Sequence, residues 1–404
     1  MHASNDYFEM TVGADIVQSS GWDGAGIGVA VIDSGISDHP DLHDPATGKS
    51  RVVYSQTFVP NTDTNDEYGH GTHVAGIIAG NGTQSGGKAN AGYEIYGVAP
   101  NVKLINLKVL DKNGSGQDSY LVSALQRAIA LKSTYNIRVI NLSLGRAVFE
   151  SYKLDPLCQA VEQAWKAGIV VIVAAGNEGR NNSFNTHGYG LITAPANDPY
   201  VITVGAMRTM DDYWKSDDLI ATYSSKGPTL FDHVIKPDLV APGNRLNSLI
   251  VSGSTLDTMF PQNVVSNVNY GGTFPSGQYI TLSGTSMAAP VVSGAAAPST
   301  DTAGAATLSA IAVKNSNGTV TLSTSSSLLG TSVVWGNSVV WGNSVVWGNN
   351  VLSSNSVIWG NSVVWGNANL TGYSVVWGNS VVWGNSTASS DSATAILGSG
   401  DNNQ

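Results

Sequence analysis

Four side chains of this 404-residue chain stand in settings where their chemistry could be combined. Ser286 lies in Thr281-Leu-Ser-Gly-Thr-Ser-Met-Ala-Ala-Pro-Val-Val-Ser-Gly294, where small and apolar residues predict a helix that begins at the serine. The first N–H groups of a helix lack internal acceptors and carry the positive end of its dipole. A serine oxygen there could attack a carbonyl while its own N–H faces the developing oxyanion. Pro290 is expected within the first turn, where a missing N–H costs nothing.

A nucleophile needs a base, and the base needs an orienting group. Gly69-His-Gly-Thr-His-Val-Ala-Gly-Ile-Ile-Ala-Gly80 predicts a closely packed helix with His70 at its entry, where the imidazole could take the serine proton. His73 is the competing histidine, but within the helix its expected role is packing or hydrogen bonding. Val29-Ala-Val-Ile-Asp-Ser-Gly35 predicts a buried parallel strand with Asp33 at its carboxyl end, the edge at which open α/β sheets place their chemistry. Asp33 could hold the histidine tautomer and stabilise the imidazolium. Val170-Val-Ile-Val-Ala-Ala-Gly-Asn-Glu-Gly179 predicts a further strand ending in Asn177, whose amide could donate to an oxyanion.

Asp33-Ser-Gly, His70-Gly-Thr-His-Val-Ala-Gly, Ala-Ala-Gly-Asn177 and Gly284-Thr-Ser-Met-Ala-Ala-Pro, in this order, resemble the motifs of the subtilisin-like serine proteases, over residues from about 22 to 296. The resemblance implies an endopeptidase with catalytic Asp33, His70 and Ser286 and an oxyanion hole at Asn177. It further implies that Ser143, Leu144 and Gly145 pair with an extended substrate, and that Ala174, Ala175 and Gly176 wall a roomy, uncharged primary pocket with a preference for apolar side chains. No cofactor is implied with certainty. Structural calcium is a family trait left open, and Asp63, Asp66 and Glu67 before His70 are expected to form a solvated loop rather than a metal site.

The elements that must position these residues alternate. Strands at Val29–Ile32, Leu104–Val109, Val139–Leu144, Val170–Ala174 and Val201–Val204 are separated by helices from His73, over Asp118–Ser133 and over Pro156–Ala167. That order predicts right-handed crossovers and a three-layer α/β/α fold with a mostly parallel central sheet. Leu121, Leu125, Ala128 and Ile129 share the inner face of the second helix, and Gln126 and Arg127 the outer one.

Past the nucleophile the pattern departs from the family. Pro298 is expected to stop the helix, and Asp301–Ser327 carries only short apolar runs, so the closing layer of the domain reads as truncated. From Ser332 to Ser386 the unit Ser-Val-Val-Trp-Gly-Asn recurs every six residues, losing its tryptophan in the blocks that start at Asn350 and Ala368. β-Branched and aromatic residues punctuated by Gly-Asn predict short strands in a solenoid or in successive hairpins; a flexible low-complexity tail is the alternative. The expected organisation is a lead-in over 1–21, a protease domain over 22–298, a linker over 299–331, the repeat over 332–386 and a polar tail over 387–404.

With 12% charged residues and a net charge of −10, the chain is a poor match for nucleic acid or an anionic membrane. No run of about 20 apolar residues is long enough to span a bilayer. The single cysteine, Cys158, excludes an intramolecular disulfide framework and reads as a small buried hydrophobe. No signal peptide is visible, yet the resemblance implies an extracellular or cell-surface location. The expected partners are protein or peptide substrates, with polysaccharide or cell-surface contact through the tryptophan repeat. The alternative function is a catalytically impaired binding protein, in which a truncated protease domain carries that repeat.

Overall fold

The computed structural model describes residues 8–86, 94–183, 185–212, 214, 216–270 and 277–297, together with short strands between 311 and 389. The chain divides into two units. One comprises Met1–Tyr213, Leu219–Asp232 and Lys236–Ala306; the other comprises Trp214–Asp218, His233–Ile235 and Thr307–Gln404.

The first unit is an α/β/α sandwich. Its strands are β1 (Gly28–Asp33), β2 (Val52–Thr57), β3 (Lys103–Lys108), β4 (Ile137–Leu142), β5 (Val170–Ala174), β6 (Ile202–Arg208), β7 (Leu219–Ile220) and β8 (Leu239–Pro242). They form one sheet in the order β2-β3-β1-β4-β5-β6-β7, with β8 also on β6, and every pairing is parallel except β6 with β7. Its helices are α1 (Phe8–Val12), α2 (Ala14–Ser19), α3 (His70–Ala79), α4 (Asp118–Tyr135), α5 (Pro156–Lys166), α6 (Thr255–Met259) and α7 (Thr285–Ala296).

Two cores follow from the period-two alternation of buried strands. Val29 and Val31 of β1 pack with Val74 and Ile77 of α3 and Met287 and Val291 of α7. Ala30 and Ile32 point the other way, onto Leu121, Leu125 and Ala128 of α4 and Leu157 and Val161 of α5. The residues preceding the sheet are more than a lead-in: Phe8 and Ala14 are buried in the first of these cores, and Gln18 Nε2 donates to the carbonyls of Gly97 and Val98 at 3.1 and 3.0 Å.

The sheet order explains where chemistry can sit. After β1 the chain goes to the edge strand β2, comes back to place β3 between β2 and β1, and then places β4 on the other side of β1. The crossovers on either side of β1 therefore lie on opposite faces and leave a crevice beyond the carboxyl ends of β1 and β4. Asp33 closes β1, and Ser143 immediately follows β4.

A second, two-stranded antiparallel ribbon, β9 (Leu246–Leu249) with β10 (Tyr279–Leu282), leads directly into α7. That helix begins at Thr285, so Pro290 lies in its second turn rather than its first. A proline there deprives the Ser286 carbonyl of its i+4 donor. The Ser143 hydroxyl supplies the missing bond, donating to Ser286 O at 2.8 Å. The expected stop at Pro298 and the missing closing layer lie outside the described residues.

In the second unit, β11 (Ile311–Lys314) and β12 (Val320–Ser323) pair antiparallel within the stretch expected to be a linker. Among the described residues, the hexad repeat and the start of the stretch expected to be a polar tail form nine three-residue strands: β13 (Val339–Trp341), β14 (Val345–Trp347), β15 (Val351–Ser353), β16 (Val357–Trp359), β17 (Val363–Trp365), β18 (Asn369–Thr371), β19 (Val375–Trp377), β20 (Val381–Trp383) and β21 (Thr387–Ser389). Each strand pairs in parallel with the one three hexads further on, as Trp341 with Trp359 and Trp359 with Trp377. The result is three parallel sheets, the arrangement of a solenoid and not of hairpins. The blocks without tryptophan align with one another, Ser353 with Thr371 and Thr371 with Ser389.

Candidate active site

Asp33 and His70 meet because α3 starts against the end of β1. Gly71 makes that approach possible: a Cβ there would come within 2.2 Å of the Gly35 carbonyl oxygen and 3.1 Å of Asp33 Cβ. His70 Nδ1 lies 2.8 Å from Asp33 Oδ1, which also accepts from the Ser34 N–H at 2.7 Å. Burial alone would push the imidazole pKa down, but the charge and hydrogen bond of Asp33, with Asp66 behind it, outweigh that and hold it above the ordinary histidine value. His73 Nε2 instead contacts the Ile280 carbonyl at 3.0 Å, and burial pushes its pKa down to about 3, so it stays a neutral packing residue.

Asp66 departs from the solvated loop expected of its neighbourhood. Asp63 and Glu67 are exposed, but Asp66 is buried. Its Oδ1 accepts from the Ser34 hydroxyl at 2.8 Å and the Gly69 N–H at 2.7 Å, and its Oδ2 accepts from the Thr72 N–H at 2.8 Å. Ser34 Oγ accepts in turn from the Gly71 N–H at 2.9 Å. The signal for this role was an aspartate just upstream of a helix start, the place of a residue that caps free N–H groups.

The entry to α7 can be accounted for donor by donor. The Thr285 N–H goes to Asn177 Oδ1 at 2.9 Å, and those of Met287 and Ala288 return to the Gly284 carbonyl at 3.0 and 3.4 Å. Among the described residues the Ser286 N–H has no acceptor, and Ser286 lines the cleft at the positive end of the helix. Asn177 Oδ1 also accepts from the Thr285 hydroxyl at 3.0 Å. With its oxygen so occupied, the amide presents Nδ2 to the same cleft, which Asn177 and Ser286 both line. Thr285 thus fixes which way the asparagine amide faces, a contact that no local pattern announces.

Ser286 Oγ donates to the Ser143 carbonyl at 3.0 Å. No hydrogen bond joins it to His70 among the described residues, so the hydroxyl must turn away from Ser143 to reach His70 Nε2. Such contacts are often loose before substrate binds.

The cleft has a volume of about 1370 Å³. Ser143, Leu144 and Gly145 line it, as do the apolar Leu121 and Leu157. Ala174 and Ala175 do not line it: both are buried, one in each core. Gly176 is half-buried, and its N–H donates to Thr285 Oγ1 at 3.2 Å. The wall on the His70 side comes from a segment not foreseen as part of the site. The N–H groups of Thr255 and Leu256 in α6 donate to the carbonyls of Glu67 and Tyr68, both at 3.0 Å, and Leu256, Phe260, Val264 and Val265 line the cleft.

Among the described residues no group of three or more His, Cys, Asp or Glu is placed to hold a metal ion. Cys158 is buried and free, with its Sγ 3.4 Å from Asn197 Oδ1, and burial raises its pKa away from the reactive thiolate. No described helix is long and apolar enough to cross a membrane.

The family model that matches this chain is that of the Subtilase family, over residues 24–331. The chain is 37% identical over 279 residues to Serine protease AprX of Bacillus subtilis, an alignment covering 68% of this chain and 57% of AprX. It is 37% identical to Subtilisin DY of Bacillus licheniformis, over 70% of this chain and 80% of that protein. It is equally identical to Subtilisin E of Bacillus subtilis, over 70% of this chain but 58% of that protein. The crystal structure of a cold adapted subtilisin-like serine proteinase superposes with a TM-score of 0.45 at 30% identity, covering 68% of this chain and 75% of the other.

Proposed function

Starting from a chain that belongs to the subtilase family, we propose that it is a serine endopeptidase acting through Asp33, His70 and Ser286. The observation that carries this reading is a pair of donors without acceptors among the described residues, Ser286 N–H and Asn177 Nδ2, beside a serine hydroxyl and an Asp33–His70 pair. Nothing in the packing of the helix needs those donors free, whereas an oxyanion does.

In the proposed reaction Ser286 Oγ attacks the scissile carbonyl carbon while its proton passes to His70 Nε2. The carbonyl π electrons move to oxygen, and the oxyanion accepts from Ser286 N–H and Asn177 Nδ2. Asp33 stabilises the imidazolium, which then protonates the leaving amine as the C–N bond breaks. Water repeats the sequence on the acyl-enzyme and restores the serine. An extended substrate lies along Ser143–Gly145, and Leu121, Leu144 and Leu157 favour apolar side chains.

His70 acts as a base only when neutral, so activity is full above its pKa and falls as the pH drops through it. Its raised pKa moves that limb above the usual histidine range. The proposed substrates are soluble or surface proteins outside the cell, with the hexad repeat holding the enzyme near polysaccharide or another large surface. Labelling by a fluorophosphonate serine probe tests the central assignment: the wild type is labelled and hydrolyses casein, and Ser286→Ala does neither. Equal hydrolysis by that variant would overturn it.

A further inference from the structure

We infer that Asp66 is a positioning residue of the proposed triad, whose buried carboxylate orients Asp33 through Ser34 and favours the imidazolium form of His70. The inference rests on the protease reading of the same site and adds a group to it that touches no substrate.

Three observations converge. Asp66 is 1% exposed, a degree of burial that carboxylates almost never reach unless they are paired. Its two oxygens accept three bonds, two from backbone N–H groups at the start of the helix that carries His70 and one from Ser34. And Ser34 is the residue that follows Asp33: its N–H holds Asp33 Oδ1 at 2.7 Å, while its hydroxyl is 2.8 Å from Asp66 and 3.2 Å from Asp33. The single hydroxyl proton therefore goes to Asp66. One carboxylate thus ties the last residues of β1 to the first turn of α3, the two elements whose separation sets the Asp33–His70 contact.

The same position places a negative charge near the imidazole. Burial holds the Asp66 carboxyl above the usual carboxylate range, and its three hydrogen bonds, all donated to it, oppose that shift without cancelling it. The titratable groups facing His70 are Asp33 from β1, Asp66 and Tyr68 from the loop before α3, and His73 from its own helix. Tyr68 is held neutral by burial and by the two aspartates, and His73 by burial, so of these groups the two that raise His70 are Asp33 and Asp66.

Asp66→Asn keeps the shape and removes the charge. With less stabilisation of the imidazolium, the acid limb of kcat/KM should move down by roughly half a unit to one unit, and the plateau should fall about three- to tenfold, the rate equivalent of that shift. A residue that merely holds the fold would lower the plateau and leave the limb where it was. That outcome would overturn the inference.

The histidine can also be read without turnover. In a Ser286→Ala background, proton NMR follows the His70 ring through its titration, with and without the Asp66→Asn substitution. An unchanged midpoint sinks the inference even if the enzyme reading stands, whereas a wild type that fails to react with the serine probe sinks the reading alone. Where Asp66→Asn does not fold, the Asp66 carboxyl carbon is followed by 13C NMR in the Ser286→Ala protein. An ionised carboxylate throughout the His70 titration supports the inference, and a carboxyl still protonated at pH 6 refutes it.

Discussion

Asp33→Asn isolates the charge of the orienting group from its shape. Asp33 Oδ1 receives His70 Nδ1 and Ser34 N. The buried Oδ2 has no hydrogen-bond partner among the described residues. An asparagine therefore has one favoured orientation, with its oxygen at the Oδ1 site and its NH2 in the unpartnered slot, so the His70 Nδ1–H can still donate and the tautomer survives. What disappears is the attraction between carboxylate and imidazolium. At a contact of 2.8 Å the charge centres lie about 4 Å apart, and at an effective dielectric of about 20 that attraction is about 4 kcal/mol. Its absence from the transition state lowers kcat by about three orders of magnitude. The assay is hydrolysis of a chromogenic peptide anilide near pH 9, with circular dichroism to confirm folding; KM should stay within about threefold. A folded Asp33→Asn variant that loses less than about tenfold in kcat would mean that the Asp33 charge does little for the imidazolium, and the reasoning would fail.

Asn177→Leu removes the amide donor and also the acceptor of Thr285 N–H, so kcat should drop by about 100- to 1,000-fold, a range known for such a donor in a subtilisin, while serine labelling slows and the fold persists; a kcat within fivefold of wild type would contradict the role. Tyr279→Phe deletes a 2.6 Å hydrogen bond to the buried Asp41 carboxylate, whose other oxygen still accepts from the Gln84 N–H. Urea unfolding should show a loss of about 1.5–3 kcal/mol, and a change below about 0.5 would show that the bond contributes nothing net. Deleting residues 332–404 should leave hydrolysis of a small soluble peptide within twofold and weaken retention on insoluble polysaccharide; a protease unit that no longer folds would refute an independent repeat.

The sheet was legible because buried parallel strands are written as continuous apolar runs, as at Val170–Ala174 and at Val29–Asp33, where the run ends in a carboxylate. Candidate nucleophile, base and amide could be found because each sits where a strand ends or a helix begins. What escaped the sequence is what the tertiary fold supplies. Pro290 was misplaced because its cost falls on the Ser286 carbonyl and is offset by Ser143, far away in the chain. The resemblance implied Ala174 and Ala175 as pocket walls, but the two are buried in opposite cores. Asp66 looked solvated because its neighbours are, and only the crossing of β1 and α3 encloses it.

The pairing of every third hexad makes the tail count in threes. Gain or loss of one unit, the simplest error when a repeated gene segment is copied, would shift each later strand onto the wrong face and set Ser353-type rows against tryptophan rows. Gain or loss of three units would restore every pairing and change only the length of the stack. Variation among copies of this gene should therefore proceed by whole turns, so that the heritable unit of the tail is the coil and not the motif from which it is spelled.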